Sequence, residues 1–137
     1  MGNMPDEEAI RQAEYWIDRA ETFWRESEKT EDAAITTMGY IERALTLDPL
    51  NYKAWSDKGF ILKQLGNLDT AIMCFDRALA LNNEIITPWY NKGVLLGLMG
   101  KFEEAVKCYE QVLKQNPEHT MALRDYNVLI KIIKNRK

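Results

Sequence analysis

Apolar residues recur along this chain at the three- and four-residue steps of an amphipathic helix. Trp55, Gly59 and Leu62 mark one such segment, and Leu68, Ala71, Ile72, Phe75 and Leu79 mark the next. The spacing predicts two helices separated by Gly66-Asn67, where glycine can take the left-handed conformation that ends a helix. The same pattern returns 34 positions later, pairing Trp55 with Trp89, Gly59 with Gly93, Gly66 with Gly100, Ala71 with Ala105, Phe75 with Tyr109 and Leu79 with Leu113. Pro49, Asn83 and Pro117 continue the same step. So many matches in one register make a repeat, in which each unit is a helical hairpin.

A single helical hairpin cannot bury its apolar stripe alone, so neighbouring hairpins are expected to stack. Gly59 and Gly93 then read as points of close helix approach, where the missing Cβ offsets a helix-propensity cost of about 1 kcal/mol. Trp55 and Trp89, one turn earlier, are read as core side chains and not as an aromatic ligand site. Ala71, Ala78 and Ala105 supply the small facing surfaces.

The two ends are less regular. IERALTLDP at 41–49 parallels FDRALALNN at 75–83, which places a second helix from about Asp32 to Leu47. Its partner is a helix from about Asp6 to Ser27 carrying Trp16, Ala20 and Phe23, with an extra five or so residues assigned to the ESEKTED stretch. Downstream, Thr120 to Lys134 forms a last helix that is apolar on more than one side. Its surplus could cover the third hairpin, or could make a homodimer contact through Tyr126, Leu129, Ile132 and Ile133.

The units at 52–85 and 86–119 resemble the tetratricopeptide repeat (TPR), whose signature places are filled by Trp55, Gly59, Leu62, Ala71, Phe75, Ala78 and Asn83. In the second unit they are filled by Trp89, Gly93, Leu96, Ala105, Tyr109, Val112 and Pro117. Lys58 and Lys92 depart from the family's leucine, although a lysine stem can still cover apolar surface. The resemblance implies an all-α class: an α–α superhelix of three hairpins, the first a degenerate repeat at 6–49, with a capping helix at 120–134. The whole chain, 1–137, reads as a single domain.

The resemblance also implies a protein interaction scaffold that receives a peptide or partner segment in a concave groove. The family's inner-face pattern picks Lys53, Ser56, Asp57, Phe60, Lys63 and Gln64, then Thr87, Tyr90, Asn91, Val94, Gly97 and Leu98, and finally Arg124, Asp125, Val128 and Lys131. Phe60, Tyr90, Val94 and Leu98 make the middle apolar, favouring an apolar or mixed peptide. The family's clamp of lysine, asparagine and arginine for a chaperone's C-terminal carboxylate finds only Asn91 in one register, against Ser56, Phe60, Met121 and Asp125. One hairpin earlier, Ile17, Glu21, Asp57, Thr87 and Asn91 give no match. The expectation is therefore that no such clamp exists and that Asp125 would repel a carboxylate.

Composition narrows the alternatives. The 137 residues are 46% hydrophobic and 28% charged, which fits a folded soluble chain, and the net charge of -3 disfavours a nucleic-acid partner. The basic tail KIIKNRK at 131–137 is accounted for by the helix dipole. No apolar run approaches a membrane span, and the early acids of MGNMPDEEA do not suit a secretory signal, so no membrane partner and a cytoplasmic location are expected. The lone His119 has no ligand-spaced companion, and no nucleophile, phosphate-loop or metal motif occurs, so neither catalysis nor a cofactor is expected. Cys74 and Cys108 sit one repeat apart and are read as reduced packing residues.

Overall fold

The computed structural model describes residues 4–136, and Lys137, the end of the basic tail, lies outside them. The described residues form seven helices: α1 Glu7–Glu26, α2 Glu31–Leu47, α3 Tyr52–Gln64, α4 Leu68–Leu81, α5 Ile86–Leu98, α6 Phe102–Gln115 and α7 Thr120–Asn135. The class is all-α, with α1/α2, α3/α4 and α5/α6 packed as three hairpins and α7 closing against α6. No described helix is long and apolar enough to cross a membrane.

Helix boundaries follow local chemistry. Asp6, Thr30 and Asn51 each use a side-chain oxygen to accept the backbone N–H three residues ahead, at Ala9, Ala33 and Ala54. These oxygens satisfy amides that the first turn of a helix leaves unpaired. His119 does the same through Nδ1, which accepts from the Ala122 N–H at 3.1 Å. Gly66 and Gly100, at φ of 82° and 78°, end α3 and α5. At each, two amides fold back in a Schellman arrangement: Asn67 N to Leu62 O and Gly66 N to Lys63 O, then Lys101 N to Leu96 O and Gly100 N to Gly97 O.

Contacts divide the chain into two units, Met1–Leu81 and Asn82–Lys137. In the first, Ala13, Ile17, Ala20, Ala34, Ile41, Ala44, Leu45, Ala54 and Ile61 form the core, with Trp16, Trp24, Trp55 and Phe60 packed against it. α1 has 20 residues where α3 has 13, so the first hairpin's extra length has gone largely into the helix. Gly59 lies against the Phe75 ring, so closely that a Cβ there would stand 2.7 Å from Cε1. Lys58, at the place where the repeat usually carries leucine, reaches α2, its Nζ 2.9 Å from Glu42 Oε1 and 5.3 Å from the Trp55 ring centre.

The second unit buries Leu95, Leu96, Ala105, Val106, Cys108, Tyr109, Val112, Ala122 and Leu129. Gly93 meets Tyr109 as Gly59 meets Phe75, with slightly more room. Trp55 and Trp89 do more than fill space. The Trp55 Nε1–H donates to the Pro49 carbonyl at 2.8 Å, and the Trp89 Nε1–H to the Asn83 carbonyl at 2.9 Å. Each indole thereby fastens the loop that leads into its own helix. Cys74 and Cys108 are both buried and form no disulfide, and burial pushes the Cys74 thiol up from its ordinary pKa.

Candidate functional site

Helical geometry turns successive side chains by about 100°, so α3 and α5 each present a stripe not needed for their own hairpin. On α3, Lys53 and Gln64 are exposed, Phe60 and Lys63 half-buried, and Ser56 buried. On α5, Thr87 and Leu98 are exposed, Tyr90 and Val94 half-buried, and Asn91 buried. On α7, Arg124 and Val128 are exposed. Ser56 and Asn91 thus present little surface to a partner.

The second unit holds an apolar cleft of about 260 Å³ lined by residues of α5, α6 and α7. Val94, Leu98 and Val128 meet in it, joined by Phe102, Tyr109 and Ile132. Leu98 is 73% exposed and Val128 50%, so folding leaves both largely open to solvent. Gly97 adds to the opening, since no atom lies within 4 Å of where its Cβ would be. Phe102 is the repeat equivalent of Leu68 but was not among the expected groove residues, because it opens α6, the second helix of its hairpin, and the inner-face pattern draws on first helices. Of the four residues considered for a homodimer contact, Leu129 is buried, Ile132 lines this cleft, and Tyr126 and Ile133 are half-buried.

One end of the cleft is polar. The Tyr90 hydroxyl donates to Asp125 Oδ2 at 2.9 Å, and the Arg124 Nε–H donates to Asp125 Oδ1 at 3.2 Å. The Tyr90 ring also lies 5.8 Å from Tyr109 and 5.3 Å from His119, centre to centre. Burial, the Asp125 hydrogen bond and its negative charge together raise the Tyr90 hydroxyl pKa. The tyrosine therefore stays a neutral donor.

The first unit holds a smaller pocket, about 50 Å³, walled by Trp24, Phe60, Ile41 and Ile61 and edged by Glu21, Thr37 and Asp57. Trp24 and Phe60 meet edge to face, with centroids 6.2 Å apart. Lys53 Nζ sits 3.2 Å from Glu21 Oε1. Burial, then the neighbouring Glu21 carboxyl, push Asp57 up to about 9, against the pull of Lys53. Burial alone would lower the Lys53 ammonium, but the Glu21 bond and the charges of Glu21, Asp57 and Asp18 outweigh it and raise it. Trp24 escaped the sequence reading, and Glu21 entered it only as a mismatched clamp position, because the register of the degenerate first repeat is blurred.

Residues 52–84 and 87–119 match the family model described as tetratricopeptide repeat. No curated protein matches the chain in sequence. Among solved structures, the first TPR of Spaghetti (RPAP3) bound to the HSP90 peptide SRMEEVD is similar over 98% of this chain and 100% of that one, with TM-score 0.85 and 18% identity. The second TPR domain of human RPAP3, in complex with the HSP70 peptide SGPTIEEVD, is similar over 88% of this chain and 97% of that one, with TM-score 0.76 and 18% identity. The Arabidopsis OM64 TPR domain follows with TM-score 0.80 and 12% identity, over 90% of this chain and 98% of that one.

These findings correct one expectation. Exclusion of a chaperone C-terminal segment as partner does not stand, because domains of this fold hold HSP90 and HSP70 peptides. The electrostatic ground for it fails as well. Asp125 is engaged by Tyr90 and Arg124 and is no bare charge set against a carboxylate, and Asp57, counted as a mismatched acid, is held toward its neutral form. Ile17, used in the alternative register, is a core side chain and cannot report on a ligand. With the repeat written in its residues and its helix pairs folded as that repeat folds, this chain belongs to the tetratricopeptide repeat family.

Proposed function

We propose that the chain is a non-catalytic interaction module whose α5–α7 cleft holds an extended segment of a partner protein. The observation that carries this reading is the open apolar floor, Val94, Leu98 and Val128 contributed by two helices, with Leu98 73% exposed. Exposed apolar surface gathered in a cleft marks a place where a partner replaces water. The Tyr90–Asp125–Arg124 cluster at its polar end supplies hydrogen-bonding groups that would orient the segment. The peptides held by similar domains make chaperone tails ending in EEVD the first ligands to try.

The test is fluorescence anisotropy with labelled SRMEEVD and SGPTIEEVD, alongside peptides selected from a random library. Val94→Asp combined with Leu98→Asp is expected to weaken the bound peptide at least about tenfold, which is about 1.4 kcal/mol, with helicity unchanged. A peptide that binds the variant as tightly as the wild type overturns the cleft as the site.

A further inference from the structure

Asp57 Oδ2 is sealed from solvent and finds no hydrogen-bond partner among the described residues. A carboxylate oxygen left in that condition is costly, because burial strips its hydration and nothing replaces it. Across the helix contact stands the Glu21 carboxyl, which borders the same small pocket and, after burial, is what raises Asp57. Two carboxylates can bond one another only through a proton, since both are acceptors when ionised. The pocket beside them is small and walled largely by Trp24, Ile41, Phe60 and Ile61, so there is little polar surface to stabilise a second negative charge.

The surroundings match a pair carrying a single charge. From α1 come Glu21 and Asp18, and α3 contributes Lys53, whose ammonium is 3.2 Å from Glu21. From α2 the facing residues are Thr37, whose hydroxyl donates to its own Ala33 carbonyl at 2.8 Å, and Ile41. Glu42 of α2 is engaged with Lys58. Lys63 of α3 lies over the Phe60 ring, 4.8 Å from its centre. Lys53 thus bridges directly to the Glu21 carboxyl.

We propose that Asp57 and Glu21 share one proton that fastens α1 to α3, making this contact a pH-sensitive latch within the first unit. Protonated Asp57 donates to the Glu21 carboxylate, and Lys53 balances the remaining charge. Loss of the proton sets two negative charges against each other and loosens α1 from α3. The sign follows from linkage. An unfolded aspartate titrates near about 3.9, so between there and the raised folded value the folded chain holds one more proton than the unfolded chain. Stability from the latch is full below the unfolded value and falls as pH rises, by up to about tenfold in the folding equilibrium per pH unit. It levels off above the folded value, about 9.

The experiment is urea unfolding of the full chain from about pH 6 to about pH 8, for wild type and Asp57→Asn, whose amide can donate to Glu21 without a proton. The wild type should lose stability relative to the variant by up to about 100-fold over that range. Parallel pH profiles overturn the latch. Carboxyl-carbon NMR needs no variant: the Asp57 carboxyl should remain protonated at neutral pH, and titration in the ordinary aspartate range overturns it. In Glu21→Gln the Asp57 midpoint should move down. A midpoint that does not move rules out the shared proton.

Discussion

Gly59→Ala isolates the physical claim that the repeat's glycine exists for close helix approach. Placing a Cβ there sets it 2.7, 2.8 and 3.0 Å from Cε1, Cδ1 and Cζ of Phe75. Carbon atoms prefer separations of about 3.5–4.0 Å, and Phe75 is fully buried, so its ring has no free space to swing into. Overpacking of this kind costs about 1–3 kcal/mol. The methyl also recovers about 1 kcal/mol of helix propensity. With three ring atoms inside normal contact, the upper part of the cost range applies and the net loss should be about 1–2 kcal/mol. Gly39→Ala is the internal control, since no atom lies within 4 Å of its Cβ position. It should gain about 0.5–1 kcal/mol. Urea unfolding followed by far-ultraviolet circular dichroism reads both, and the two midpoints should move in opposite directions at an unchanged denaturant slope. A Gly59→Ala chain as stable as wild type, or a Gly39→Ala chain destabilised to the same degree, would refute the close-packing account.

Two further outcomes follow from the same geometry. Gly66→Ala should cost about 1–2 kcal/mol despite open space around it, because its φ of 82° is one that a Cβ disfavours. Thermal melts compare it directly with Gly39→Ala. Trp55→Phe should lose the Nε1 bond to Pro49 and destabilise by about 1 kcal/mol, and Trp89→Phe should behave alike through Asn83. If both phenylalanine variants unfold at the wild-type midpoint, the indoles act by bulk alone.

The legible part of this protein is what repeats or acts over a few residues. Helix starts at Asp6, Thr30 and Asn51 depend on an oxygen three residues from the amide that it caps. Stops at Gly66 and Gly100 depend on a single positive φ. The 34-residue step identified the glycine seams, because each pairs with an aromatic ring in its own hairpin. In the degenerate first repeat the step is broken, and there Trp24 went unnoticed and Glu21 was weighed only as a clamp position, although both border a pocket.

Periodicity marks the direction of a helix face, but the width left open depends on which neighbours arrive. Ser56 and Asn91 belong to the inner-face pattern yet are buried, while Leu98 in the same pattern is 73% exposed. Leu129 and Ile132 were grouped as one surplus apolar surface, yet the first is buried and the second opens on the α5–α7 cleft. Charge was misread for the same reason. Asp125 and Asp57 are ordinary acids on paper, but Tyr90 and Arg124 engage one, and burial against Glu21 drives the other toward neutrality. A residue sequence carries intrinsic propensity and spacing, which are local. Solvation and the approach of a second ionisable group arise only when distant segments pack, so the helices and their repeat belong to the chain and the chemistry of its surfaces belongs to the fold.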